Sequence, residues 1–458
     1  MAELDNIIIS LCEREEKSGC YDCEIAGFKA YNLIRFKVRN AYLQSLGYNF
    51  VEKYAGVNYL VVAKSFIVSS FQIIKILLGR KKYTTMFYPF LRLDSINGVF
   101  LDKFTDPIIE NCNIKDYIIF ERGRRGYHQK PRQHHCKVIY TNLIDTTADI
   151  YAKILYNLFV KKYKEEIERL FHSIDIVMDG VEYNKSYMIN RIMYEMFYIK
   201  AFEKFLRRME IKKIFAPSRS NIACLTYAAR KNNIIVSEFQ HGITYGETAL
   251  YSGRRERDFV PDYFLAFGDT PPRNVYGIDE SRIYNIGWAF QDYIDKIQSD
   301  VKISDKDVLV ISGPCMTDKI LSATFRLAKE NPDAHFVVRP HPAEVVTEEH
   351  RKRVEEYSNV DFQDPKINVA VAMRPYHNII GENSTVLYEA LTYGKKVARL
   401  CFEGFAPRYL TPEDEECFWK VNDMASFKAF IDGKPEDKKS MKIYSKFDKE
   451  LFMKIYNS

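Results

Sequence analysis

Two stretches decide the fold of this chain: Ala334-His-Phe-Val-Val338-Arg339-Pro340-His341-Pro342, and His377-Asn-Ile-Ile380-Gly381-Glu382-Asn383-Ser384-Thr385. Each is a short apolar run that stops abruptly at polar and turn-forming residues. A parallel strand covered on both faces reads as such a continuous apolar run. In α/β sheets, ligand-binding groups collect where these strands end. Working outward, Asp307-Val-Leu-Val-Ile311 and Lys396-Val-Ala-Arg-Leu400 are further strands of the same kind. Helical spacing of apolar residues over 319–329, 348–357 and 385–393 supplies the connections.

A second series lies upstream. Strands are expected at Thr84-Thr-Met-Phe-Tyr88, Asp116-Tyr-Ile-Ile-Phe120, Cys136-Lys-Val-Ile-Tyr140, Lys213-Ile-Phe-Ala216 and Ile234-Ile-Val-Ser-Glu-Phe239. Helices are expected over 148–171, 187–209 and 222–230, with a turn at Pro217-Ser218-Arg219-Ser220. The polar stretch Gln291–Asp305 separates the two series. This order predicts an α/β protein of two Rossmann-like, doubly wound domains facing a central cleft, the GT-B architecture. The expected boundaries are an acceptor-side domain over 1–290, a hinge over 291–305 and a nucleotide-donor domain over 306–435. A basic tail helix over 436–458 is expected to pack back on the first domain.

Length and composition agree with two globular domains. At 458 residues the chain exceeds what one hydrophobic core usually supports. Its 47% hydrophobic and 28% charged content excludes long disorder. The 32 Tyr and 31 Phe are accounted for by an AT-rich genome at least as well as by a sugar-binding cleft. Nine cysteines, an odd number, suit a reduced, cytoplasmic protein. Cys20-Tyr-Asp-Cys23 has no second pair or histidine to complete a zinc site. Met-Ala-Glu-Leu-Asp has no basic segment followed by an apolar run, so a signal peptide is not expected.

The net charge is +6, with basic clusters at Arg80–Lys82, Arg122–Arg132 and Lys438-Lys439. Such clusters suit nucleotide phosphates, acidic glycans or an anionic membrane face, and no nucleic-acid-binding module accompanies them. Tyr59–Leu78 is apolar but interrupted by Lys64, Gln72 and Lys75. It reads as an amphipathic helix, either packed on a core or lying on a membrane, so a peripheral contact at the inner face of the cytoplasmic membrane is expected.

Three groups at strand ends carry the chemistry. Glu238-Phe-Gln240-His241-Gly242 ends a strand with an acid–base side chain and a glycine that lets the backbone turn or approach a ligand. Arg339-Pro-His341-Pro342 holds a histidine rigidly beside a guanidinium suited to phosphate oxygens. Glu382-Asn383-Ser384-Thr385 opens a helix, capped by Asn383 or Ser384, whose free N–H groups and dipole favour phosphate. Glu389 follows at a distance suited to a ribose diol, and Gly313 ends the Asp307–Ile311 strand. Candidate bases are His241, Glu238 and Asp94, with Glu247 and Asp179 behind them.

Gln-His-Gly, then Arg-Pro-His-Pro, then a Ser-Thr element followed by Glu-Ala and Gly resembles bacterial capsule glycosyltransferases over 213–400, among them Kdo transferases and polysialyltransferases. The glycerophosphate polymerases of teichoic acid synthesis look similar in the same stretches. The resemblance implies that His341 contacts the donor phosphate, that Ser384 and Thr385 bind phosphate, and that Glu389 holds the ribose. It places His241 across the cleft near the acceptor. Those polymerases usually carry Trp where Gln240 stands and Asp-Tyr-Ser-Ser where Glu382–Thr385 stands, which favours a sugar donor over CDP-glycerol. A UDP- or CMP-linked sugar, a glycan or lipid-linked glycan acceptor, and neither metal nor cofactor are therefore expected. Glycerophosphate transfer from CDP-glycerol, a reaction of the UDP-N-acetylglucosamine 2-epimerase kind, and a non-catalytic scaffold are the alternatives.

Overall fold

The computed structural model describes residues 3–48, 58–79, 82–123, 126–244, 246–269, 277–296, 304–313, 316–341, 344–364 and 367–458. Arg80, Lys81, Arg124, Arg125, Pro342 and residues 297–303 of the expected hinge lie outside them.

Two all-parallel sheets organise the chain. The first has seven strands in the spatial order Ile283–Asn285, Tyr263–Ala266, Ile235–Phe239, Lys213–Pro217, Thr85–Phe87, Tyr117–Glu121, Val138–Tyr140. The second has six: Val360–Phe362, Phe336–Arg339, Ser304–Ile311, Tyr376–Gly381, Lys396–Leu400, Trp419–Val421. In chain order both run 3-2-1-4-5-6, and the first adds a seventh strand at its edge. This is a doubly wound α/β fold in each half, and the direction of winding reverses between the first and fourth strands.

Continuous burial drives the central strands. Tyr117–Glu121 and Lys396–Leu400 are buried at every position. Around the first sheet, the helix Lys185–Met209 buries Ile192, Ile199, Phe202, Leu206 and Met209 on one face. The single helix expected over 148–171 is instead three, Asn142–Ile154, Tyr156–Lys162 and Lys164–Met178, turning at Leu155 and Tyr163.

Two N-terminal helices, Glu3–Ser18 and Ala30–Ser45, are pinned by a buried carboxylate. Glu15 accepts from Tyr21 Oη at 2.5 Å, Tyr31 Oη at 2.6 Å and both Nε and Nη2 of Arg39 at 2.6 Å. Burial alone would raise its pKa, but Arg39 and Arg35 hold it down at about 2. These arginines also reach the 249–254 loop: Arg39 donates to the Ala249 carbonyl at 2.9 Å and Arg35 to that of Ser252 at 3.0 Å.

The chain ends on the first sheet. Phe452 of the helix Lys449–Asn457 lies 5.4 Å from the Phe215 ring, and Tyr456 Oη meets Thr85 Oγ1 at 2.7 Å. The basic clusters are largely consumed internally. Arg132 pairs with Asp106 and Glu121 in the interior, Arg122 bonds the Tyr194 hydroxyl, and Lys82 pairs with Glu210. Lys438 lies over the Trp419 ring and Lys439 faces Glu416. Among the described residues, these members of the clusters are thus engaged by ion pairs and ring contacts within the chain.

Candidate functional site

The carboxyl ends of the two sheets are brought together. A hairpin after the first strand, Asp94–Ile96 with Val99–Leu101, reaches the loop that follows Val360–Phe362. There Ser95 bridges Ile367, and Asn368 Nδ2 donates to Asp94 Oδ1 at 2.7 Å. Asp94 thus joins the halves, and part of its carboxylate is already committed.

In the C-terminal half, the winding reverses between Ser304–Ile311 and Tyr376–Gly381. The chain leaves these strands at Gly313 and at Glu382-Asn383-Ser384. A methyl group on Gly313 would stand 3.4 Å from the Asn383 carbonyl oxygen, so the two exits run side by side. Ser384 is the cap of the helix Thr385–Thr392, its Oγ accepting from Val386 N at 3.3 Å. Thr385 occupies the first turn, and the positive end of the helix opens at the strand edge.

Glu382 and Asn383 hold a neighbouring loop. Glu382 Oε1 accepts from Ala406 N at 2.7 Å and from Lys319 Nζ at 3.4 Å. Asn383 accepts from Arg408 N at 2.7 Å and donates to the Ala406 carbonyl at 2.9 Å. Glu389 is buried inside the helix and receives the Tyr444 hydroxyl from the C-terminal segment. Arg339 is buried, with Nη1 on Gln363 Oε1 at 2.8 Å and Nη2 on the Ile367 carbonyl at 2.6 Å. The guanidinium expected to fork a phosphate is here engaged by Gln363 and by the Ile367 carbonyl. His341 is half-buried just beyond the same strand, and its carbonyl accepts from Glu344 N at 2.8 Å.

In the N-terminal half, the reversal falls between Thr85–Phe87 and Lys213–Pro217. Ser218, at that point, is buried with φ +67° and ψ 96°. Such a backbone costs a non-glycine residue about 1–3 kcal/mol and recurs at functional sites. Arg219 opens the following helix. Its amide donates to Glu238 Oε1 at 2.8 Å, and its Nε and Nη2 donate to Oε2 at 2.9 and 2.8 Å. Tyr251 Oη adds a bond to Oε1 at 3.2 Å. Glu238, wholly buried, is saturated by these four donors, so the proposed base is corrected to an anchor for Arg219.

Gln240 is likewise engaged, donating to the Gly242 carbonyl at 3.2 Å and accepting from Phe267 N at 3.2 Å. Gly242 adopts no left-handed backbone, and a methyl group there would meet nothing within 4 Å. It faces open space at a bend in the backbone. His241 sits between them, half-buried, its ring 5.9 Å from that of Phe90. Its Nδ1 is buried without a hydrogen-bond partner among the described residues. Burial, then the charges of Arg92, Lys103 and Arg219, lower its pKa to about 4. Neutral at physiological pH, His241 is surrounded by cations that an anionic ligand would offset.

Of the remaining candidates, Glu247 donates its amide to Asp5 Oδ1 at 3.1 Å and influences Arg255. Asp179 ends the helix Lys164–Met178 at φ 49°, exposed and 3.8 Å from Arg14, outside this constellation. Residues missed from sequence are Arg92, Lys103, Arg219, Arg255, Tyr251 and Tyr444. Arg219 follows a strand end directly, a placement that could have marked it. Gly277 lies beside Arg255 and Arg219 with φ +73°, a left-handed backbone that favours glycine.

No protein-family model matches the chain, and no curated protein matches it. Solved structures do. The Staphylococcus aureus MnaA–UDP structure is 12% identical, covers 82% of this chain and 97% of its own, and has a TM-score of 0.48. For the UDP-GlcNAc 2-epimerase of Methanocaldococcus jannaschii the values are 13%, 82%, 99% and 0.48. A CDPG-soaked wall teichoic acid polymerase, TagF, is 12% identical over 92% of both chains, with a TM-score of 0.41. These likenesses concern the fold.

Proposed function

We propose that the protein is a glycosyltransferase that moves a sugar from a nucleotide-activated donor to a glycan acceptor of a surface polysaccharide. The observation that carries this reading is His241. It is a neutral imidazole with an unpartnered Nδ1, set among Arg92, Lys103 and Arg219 at the carboxyl end of a parallel strand. The Ser384-capped helix in the other half takes the donor phosphates, assisted by His341. His241 takes the acceptor hydroxyl proton in an inverting transfer. The cations around it stabilise the departing nucleotide phosphate, so no metal is needed. Adding EDTA leaves turnover unchanged.

Incubation with UDP-, CMP- and CDP-linked sugars and with CDP-glycerol tests this, read by thermal shift and product formation. Stabilisation by a nucleotide sugar, with acceptor-dependent transfer, is expected. Turnover of CDP-glycerol alone would make the protein a glycerophosphotransferase. Acceptor-free interconversion of UDP-linked epimers would make it an epimerase. No binding of any nucleotide would leave a scaffold.

A further inference from the structure

The helix Tyr59–Leu78 is turned inside out. On a surface helix of a globular protein, the charged face meets water and the apolar face meets the core. Here Leu60, Ala63, Ile67, Phe71, Ile74 and Leu78, at helical spacing, form the outward stripe. Leu60 is 83% exposed, Phe71 72% and Leu78 81%. Two polar residues, Ser69 and Gln72, point inward beside the buried Ile73. Ser69 Oγ donates to the Tyr140 carbonyl at 2.6 Å and accepts from Leu143 N at 3.0 Å. Gln72 donates to the Val138 carbonyl at 3.1 Å and accepts from Tyr140 N at 3.0 Å.

Three of these bonds satisfy the edge strand Val138–Tyr140 and the fourth the first turn of the helix Asn142–Ile154, and together they fix the rotation of the helix. The apolar stripe has nowhere to face but out. It continues onto the neighbouring helices, where Ile154 is 73% and Leu158 64% exposed. Lys153 of the helix Asn142–Ile154 lies near Tyr59. On this helix and on Asn142–Ile154 and Tyr156–Lys162, the exposed lysines are 64, 75, 153, 161 and 162, against one exposed acid, Asp149, which Lys153 pairs at 2.7 Å.

We propose that this face docks the protein on an anionic lipid bilayer, with Tyr59–Leu78 lying along the membrane surface. The inference is independent of the function proposed above. The helix is long and apolar enough to cross a membrane. Its hydrogen bonds to the sheet edge hold it parallel to the protein surface, so it lies in the interface. Lysines bordering an apolar stripe match acidic headgroups over acyl chains. A two-fold contact between copies would set the same lysine-bordered surface against itself.

The test is co-sedimentation of the full chain with phosphatidylcholine vesicles, with and without phosphatidylglycerol. Strong binding to the mixed vesicles, weakened by salt, is expected. The variant Ile67→Ser/Phe71→Ser/Ile74→Ser should stay in the supernatant with an unchanged circular dichroism spectrum. Lys64→Gln/Lys75→Gln should bind roughly fivefold more weakly for each lysine removed, the ratio given by about 1 kcal/mol apiece. Equal binding to neutral and anionic vesicles, or binding to neither, overturns the proposal. So does a dimer in light scattering that the triple variant abolishes, which assigns the face to a second copy.

Discussion

Arg408 Nη2 donates to Asp5 Oδ1 at 2.8 Å, tying the C-terminal half to the first helix of the chain. The pair lies in a longer path. Asn383 holds the Arg408 amide, and Asp5 also accepts from the Glu247 amide in the loop after His241. The start of the Ser384-capped helix and the His241 loop are therefore connected through Asp5. Removing this tie should loosen the geometry between the halves and leave each sheet intact.

Arg408→Ala should cost about 1–2 kcal/mol, the range for a partly buried charged hydrogen bond. The melting temperature should fall by a few degrees, with KM for both substrates rising. Unchanged melting and unchanged KM would remove Asp5 and Arg408 from the site.

Glu238→Gln separates an anchor from a base. As an anchor, Glu238 neutralises the nearly buried Arg219, so its loss should destabilise the protein by about 3–5 kcal/mol. Thermal denaturation followed by circular dichroism reads this directly. A variant as stable as the parent but inactive would return Glu238 to the catalytic role.

The pH dependence of stability follows from His241. Its pKa is about 4 when folded and 6.5 as the reference value, so the unfolded chain binds the proton more tightly. The contribution of neutral His241 is complete above pH 6.5 and is lost as pH falls towards 4. His241→Gln should flatten that part of the stability curve in urea titrations. It should also keep donor binding while transfer falls. A collapse of donor affinity would place His241 in the nucleotide site.

His341→Ala should lower turnover about a hundredfold, the scale of losing one charge-stabilising donor. Ser384→Gly costs the helix only a few tenths of a kcal/mol, so its effect isolates the hydroxyl's contact with phosphate. Weaker donor binding with an unchanged melting temperature is expected. Full donor affinity in both variants would move the phosphate site elsewhere.

The sequence alone determined most of the parallel strands, though not the interior strand Tyr263–Ala266, together with the two-half organisation and a helix opened by Asn383 or Ser384. Those features are local: a strand covered on both faces must be a continuous apolar run, and a cap must sit beside the helix it caps. The edge strands Ile283–Asn285, Val360–Phe362 and Trp419–Val421 left no such trace, being three residues long and in part exposed. The order of strands, and with it the two reversal points, came only from the tertiary structure. So did the pairings that sort the candidates, among them Glu238 with Arg219, Glu389 with Tyr444 and Asp94 with Asn368. The reach of an ion pair or hydrogen bond is a few ångströms in space and unlimited along the chain. Asp5 and Arg408, 403 residues apart, carry no sequence pattern that could announce their contact.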